Sequence, residues 1–286
     1  MGTIKFYPDK TMKLQDFLRE CGVSRRLITR LKRIPDGITR NGELIRTIDF
    51  VNAGDVIAIE SEDSSLLEPN AELCVPVAFE NENLAVFDKP PGMPVHPSIR
   101  HQGDTLGNFF AAEYPGLTFR PVNRLDRNTS GLCIIAKNPF SAAALQRNVE
   151  KVYYAAVSGD VSGEGTIDAP IAREQESIIK RIVSPAGQRA VTHYRCTGRS
   201  EKYSLMEITL ETGRTHQIRV HFSYIGHPLA GDDMYGGSRE DIDRQALHCG
   251  CPCGCGRSGP RRSSGPHRWK RHCRSPAPAC RQRSRS

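Results

Sequence analysis

Several absences narrow what this chain can be. No apolar run approaches the roughly 18 residues of a membrane span, so no transmembrane segment is expected. The N-terminus has no basic start followed by an apolar core, which argues against a secretory leader. Gly2 opens a myristoylation pattern, but Phe6 stands where Ser or Thr is required. Neither a Gly-rich phosphate loop nor a nucleophile elbow occurs. Metal ligation is not expected either, because His216 and His221, five residues apart on a predicted helix, point about 140° away from each other. Acidic residues are missing from 249–286, where ten of the 40 Lys and Arg fall; residues 1–248 therefore carry 30 basic against 32 acidic side chains, and the formal charge of +8 comes from the tail. Of ten Cys, only Cys21, Cys74, Cys133 and Cys196 precede residue 249, widely spaced, so reduced thiols in a cytoplasmic protein are expected.

The tail itself changes character abruptly. Cys249-Gly250-Cys251-Pro252-Cys253-Gly254-Cys255 leads into a mixture of Ser, Arg, Pro and Gly with no apolar periodicity, which cannot build a core and reads as disordered. The alternating cysteines do not match the usual zinc pairs. A shifted reading frame near residue 249 would produce such a segment.

A chain of 286 residues accommodates roughly two domains. Residues 1–60 read as the first. Leu14, Phe17 and Leu18 lie at helical spacing, Gly22 stops that helix, and Ser24 can cap a second one striped by Leu27, Ile28 and Leu31. The second carries Arg25, Arg26, Arg30, Lys32 and Arg33, five cations within nine positions, suited to tracking a phosphate backbone, although charge runs are usually solvated faces. Asn41-Gly42 signals a hairpin, and a turn at Gly54 precedes a strand through Ile59. Residues 61–75 are polar, acidic and Pro-bearing at first, hence a linker.

Residues 76–248 read as the second domain. Strands are expected over Leu84–Asp88, Val152–Val157, Thr166–Ile171, Ile178–Val183, Ala190–Cys196 and Tyr203–Leu210. Thr105 and Asn138-Pro139 open helices, the latter through about Glu150, and Thr215 can cap one running to about Ile225. Strands and a few helices in irregular alternation make this an α+β protein with a mostly antiparallel sheet. Its central stretch is Arg124-Leu125-Asp126-Arg127-Asn128-Thr129-Ser130-Gly131-Leu132. Flanking guanidinium groups favour the charged carboxylate of Asp126, and the turn formers after it lead into a short apolar strand. That local chemistry alone fits an active-site carboxylate and a structural ion pair about equally.

The stretch resembles the catalytic motif of the RluA-type pseudouridine synthases. Lys89-Pro90-Pro91-Gly92-Met93-Pro94-Val95-His96-Pro97 resembles that family's first motif, and Lys151-Val152-Tyr153-Tyr154-Ala155-Ala156-Val157-Ser158-Gly159 its tyrosine segment. Leu210-Glu211-Thr212-Gly213-Arg214-Thr215-His216-Gln217-Ile218-Arg219-Val220-His221, with Gly226-His227-Pro228 and Gly231-Asp232 after it, resembles the last motif. Asn123 departs from the pattern, where many members have His, and is expected to tune activity. Residues 1–60 resemble the small RNA-binding domain of a ribosomal small-subunit protein, through Ser24-Arg25-Arg26, Asn41-Gly42 and Gly54-Asp55.

The resemblance implies a mixed, mostly antiparallel central sheet and an isomerase that turns uridine into pseudouridine without cofactor or metal. Asp126 would act as nucleophile or base, Tyr153 would stack on the base, Arg219 would hold Asp126, and Arg124 would fill the space a flipped uridine leaves. Arg127, Arg214 and His216 would join Arg25, Arg26, Arg30, Lys32 and Arg33 as RNA contacts. The implied partner is structured ribosomal or transfer RNA, bound by a monomer. The rival reading is a non-catalytic RNA-binding or ribosome-assembly factor that kept the fold.

Overall fold

The computed structural model describes residues 2–23, 25–61, 67–175 and 179–250. Ser24 as a cap, the start of the strand expected at Ile178, much of the linker and the tail from residue 251 lie outside them, as does the side chain of Arg26.

The N-terminal module starts earlier than its motifs. Strand β1 (Gly2–Phe6) precedes β2 (Met12–Lys13), α1 (Leu14–Glu20), α2 (Arg25–Leu31), β3 (Ile38–Arg40), β4 (Glu43–Leu44), β5 (Phe50–Val51) and β6 (Ile57–Ser61). Its main sheet runs β1-β6-β3-β4, with β2 and β5 paired separately. The β3–β4 turn places Asn41 at φ 54° and Gly42 at φ 92°, both in the left-handed region that a two-residue hairpin matched to strand twist requires. Leu14, Phe17, Leu18, Ile28 and Leu31 pack beneath the sheet against Ile57 and Ile59. The second helix ends at Leu31, so Lys32 and Arg33 belong to the turn after it rather than to the helix. Arg25, Arg30, Lys32 and Arg33 are exposed.

The expected linker is not free along its whole length. From residue 67 it lies along α3 (Leu106–Glu113), where the Asn108 side chain donates to the Glu68 carbonyl at 2.8 Å and Asn70 N–H donates to the Asn108 carbonyl at 3.1 Å. Thr105 caps α3, with a reciprocal bond from Asn108.

The large domain is built on a mixed sheet of nine strands among the described residues. It comprises β7 (Val77–Glu80), β8 (Leu84–Lys89), β9 (Arg120–Pro121), β10 (Ser130–Ala136), β11 (Val152–Ser158), β12 (Glu164–Asp168), β15 (Val191–Arg199), β16 (Tyr203–Leu210) and β17 (Leu247–Gly250). Strands β13 (Ile171–Arg173) and β14 (Arg181–Val183) form a separate hairpin. The sheet order is β12-β15-β16-β11-β17-β10-β8-β7, with β9 on β10, and only the β10–β17 pairing is parallel. Helix α4 (Pro139–Asn148), capped by Asn138, and α5 (Gln217–Tyr224) complete the domain. Phe87, Phe110, Met206 and Phe222 are fully buried in the core, each worth about 2–3 kcal/mol over an exposed side chain. Phe140 of α4 meets Phe6 of the first module, ring centres 4.9 Å apart.

Strand β17 corrects the boundary expected at residue 248. Cys249 and Gly250 continue the strand that Leu247 begins, between β10 and β11, and Leu247 and Cys249 point into the core while His248 points out. That alternation is the period of a half-buried strand, too short to be seen against a composition that changes at the same place. Cys21, Cys133, Cys196 and Cys249 are free thiols. No helix among the described residues is long and apolar enough to cross a membrane.

Gly131 sits at φ 111° where β10 meets β17, and a Cβ there would collide with the Cys249 carbonyl. Gly131→Ala should therefore destabilise the protein by about 2–4 kcal/mol through strain and displacement of the central strand. Urea unfolding of wild type and variant measures this, and equal midpoints would refute it.

Candidate active site

The Asp126 loop is fastened on every side before any substrate is considered. Asn123, 6% exposed, donates to the Leu132 carbonyl and accepts from the Ile134 amide, both at 2.8 Å, which ties the loop's entry to β10. The Thr129 amide donates to the Asp126 carbonyl at 3.0 Å, closing a turn. Gln245 donates to Thr129 and Arg244 to the Asn128 carbonyl, both at 3.3 Å. Lys89, fully buried at the end of β8, donates to the carbonyls of Pro90, Met93 and Arg127 at 2.7, 2.8 and 3.1 Å. Burial lowers its pKa to about 8, with Cys133 and Asp126 opposing that shift.

Arg219 projects from α5 and is 6% exposed. It grips Asp232 with Nε to Oδ2 at 2.6 Å and Nη2 to Oδ1 at 2.7 Å, and reaches Asp126 Oδ2 with Nη1 at 3.4 Å. Burial opposes the charged guanidinium, but Asp232 and Asp126 outweigh it and raise its pKa. Its guanidinium also lies over the Tyr235 ring, 4.9 Å from the centre.

Helix α5 does not start as expected. Thr215 is not its cap; His216 is, at φ 58°, and the Gln217 side chain reaches back to accept from the Arg214 amide at 3.0 Å and the Thr212 hydroxyl at 2.8 Å. Those bonds fasten the loop before α5 to its first residue, and no side chain caps the helix itself. The His216 side chain, 8% exposed, has Nε2 3.8 Å from Asp126 Oδ2, so it faces the carboxylate rather than an RNA surface. His221, the other candidate ligand, is a core residue held by Thr192 and the Ala169 carbonyl.

A cavity of about 630 Å³ opens beside Asp126, lined by Asn123, Arg124, Tyr153, Arg214 and Thr215 among others. Tyr153 faces it from β11 and is 7% exposed; burial first, then the Cys249 thiol, push its phenol far above the usual range, so it remains an O–H at neutral pH. Tyr154 points to the opposite face of the strand and bonds Glu207. Arg124 is exposed and reaches the Thr215 hydroxyl at 3.4 Å. Arg127 points away to the Gly92 carbonyl at 3.0 Å, and Arg214 borders the cavity while its Nε bonds the Arg189 carbonyl. Arg124 and Asp126 from one loop, Tyr153 from β11 and Arg219 from α5 thus converge from three separate stretches. Sequence reasoning gave no role to Lys89, Asp232 or Tyr235, although the first two lie inside the motifs it quoted.

A mixed sheet with a cavity beside a braced carboxylate defines a class, and comparison identifies it. The family model for RNA pseudouridylate synthase matches residues 83–224. An uncharacterized RNA pseudouridine synthase of Bacillus subtilis, YjbO, is 39% identical over 83% of this chain and 88% of its own length. The ribosomal large subunit pseudouridine synthase D of Pseudomonas aeruginosa is 39% identical over 75% of each chain. Among solved structures, human RNA pseudouridylate synthase domain containing 1 superposes with a TM-score of 0.53 at 25% identity, over 64% of this chain and 79% of its own. This chain belongs to the RNA pseudouridine synthase family, in its RluA-type branch, and is an isomerase.

The lowered pKa of Lys89 has a signed consequence. Between about pH 8 and pH 10.5 the unfolded chain holds a proton there that the folded chain has released, so folding becomes more favourable as pH rises through that window. The stability of wild type relative to Lys89→Met should grow by on the order of 2 kcal/mol between pH 7 and pH 10.5. Urea titrations of both proteins at intermediate pH values check this, and a flat difference would contradict it.

Proposed function

We propose that this enzyme converts uridine to pseudouridine in ribosomal RNA, with Asp126 as its catalytic carboxylate. The observation that carries the reading is one oxygen of Asp126 held 3.4 Å from the Arg219 guanidinium at a cavity shared with Tyr153. A volume of about 630 Å³ lies within the range of ligand pockets and admits an extruded nucleotide. The N1–C1′ bond breaks, the uracil turns, C5 bonds to C1′, and the proton leaving C5 is balanced by one gained at N1. Asp126 supplies the sugar-side step, by adding to C1′ or by removing a ribose proton. Tyr153 stacks on the base and holds a neutral hydroxyl beside it. Arg124, exposed at the rim, takes the vacated place in the RNA.

The N-terminal module supplies RNA contact through the exposed Arg25, Arg30, Lys32 and Arg33, with Arg26 beside them in sequence. Arg214 at the cavity rim and Arg127 beyond the loop add positive charge near the substrate. The work belongs in the cytoplasm, where ribosomal RNA is made and modified.

RNA carrying tritium at uridine C5 tests the reading. Wild type should release label, and Asp126→Asn should reduce release by about 10²- to 10⁴-fold or more while melting at an unchanged temperature. Release at the wild-type rate in the variant would remove Asp126 from its role; binding without release by wild type would favour the non-catalytic alternative. Reversing charge at Arg30 and Lys32 should weaken RNA binding and flatten its dependence on salt, measured by titration at several ionic strengths.

A further inference from the structure

Both groups that face Asp126 from α5 approach the same oxygen. Arg219 Nη1 lies 3.4 Å from Oδ2 and His216 Nε2 lies 3.8 Å from it. Among the described residues no hydrogen-bond donor is placed on Oδ1 of this cavity-lining residue. His216 is held there at a cost. It is one of three described non-glycine residues at positive φ, and unlike Asp36 and Asn41, which are short turn formers, it is a largely covered side chain at the start of a helix. Such a backbone persists where the surroundings over-determine it.

Tyr235 provides that determination. Its hydroxyl accepts from the Arg181 amide at 2.9 Å and lies 2.8 Å from His216 Nδ1, while its ring meets the imidazole edge-on and carries the Arg219 guanidinium on its face. The Arg181 amide occupies the oxygen as acceptor, so the phenolic proton is free to be given to Nδ1. A neutral imidazole that accepts at Nδ1 carries its own proton on Nε2, toward the carboxylate.

We propose that His216 and Tyr235 form a positioning pair for Asp126, in which the Tyr235 hydroxyl locks the imidazole as its Nε2–H tautomer and that N–H orients Oδ2, turning Oδ1 toward the substrate. The pair deepens the reading of Asp126 as the catalytic carboxylate and rests on it. A separation of 3.8 Å is longer than a hydrogen bond, and contacts of this kind shorten when substrate closes the site. Burial favours the neutral ring by lowering its pKa; Asp126 and Asp232 oppose that, and Arg219 and Arg181 reinforce it. A neutral N–H steers the carboxylate without adding a second buried cation beside Arg219.

The test uses the full chain and two independent readouts. Nitrogen-15 spectra of histidine-labelled protein, assigned through loss of the signal in His216→Asn, should show Nδ1 unprotonated and Nε2 protonated, with the tautomers mixing in Tyr235→Phe. In tritium release, His216→Asn retains a residue tolerant of the left-handed backbone but too short to reach Asp126; kcat should fall about tenfold with KM unchanged. His216→Gln, whose amide can stand where the Nε2–H was, should recover most of that loss. Wild-type kcat in His216→Asn, equal impairment of the Asn and Gln variants, or an Nδ1–H tautomer in wild type would each overturn the pairing while leaving Asp126 in place. If His216→Gln fails to fold, the spectrum and Tyr235→Phe decide. If wild type releases no label, the activity reading fails, and the tautomer alone then supports or refutes the pair.

Discussion

One buried guanidinium shared by two carboxylates is the constraint on which the rest depends. Removing Arg219 from water is unfavourable unless its charge is matched, and Asp232, 1% exposed, matches it with two short parallel bonds. Those bonds fix the plane of the fork, so the remaining edge can point at Asp126 without further ordering. Removing Asp232 would leave the guanidinium without its main counter-charge in the interior, a cost of about 3–5 kcal/mol where such pairs are broken. The geometry of the site is therefore coupled to the stability of the domain.

The sheet turns that pairing into a site. Asp126 sits on the loop that becomes β10, Tyr153 is two strands away on β11, and β17 fills the gap between them. Only Gly131 permits β17 to approach so closely. Lys89 then ties the loop, through the Arg127 carbonyl, to the segment of Pro90 and Met93, while the carboxylate itself keeps a side chain 28% exposed. The N-terminal module meets this body through Phe6 and Phe140.

Local signals in the chain were legible where they satisfy themselves locally. Asn41-Gly42 made its hairpin, Thr105 and Asn138 capped the helices that follow them, and Val152 onward formed the alternating strand expected of it. The misreadings fall where a distant partner decides. Thr215 is a better cap by propensity than His216, but the histidine stands in that place with its ring against Tyr235 and facing Asp126, and the helix goes without a side-chain cap. Residues 67–75 carry linker composition yet dock because Asn108 offers them hydrogen bonds from α3. Cys249 looked like the first residue of a tail and is instead core, because β10 and β11 leave a space that only a further strand can close.

The amino-acid order by itself determined the α+β class, most elements, and four motif stretches whose residues could be matched one by one to a known family. Each of those properties follows from neighbours within a few residues or from a string of letters in sequence. Only the tertiary structure decided that Asp232 completes the Arg219 pair, that Tyr235 reaches His216, and that a cavity lies between Asp126 and Tyr153. Those relations join residues far apart in the chain, and their distances are set by strand order and helix packing, which no local pattern encodes.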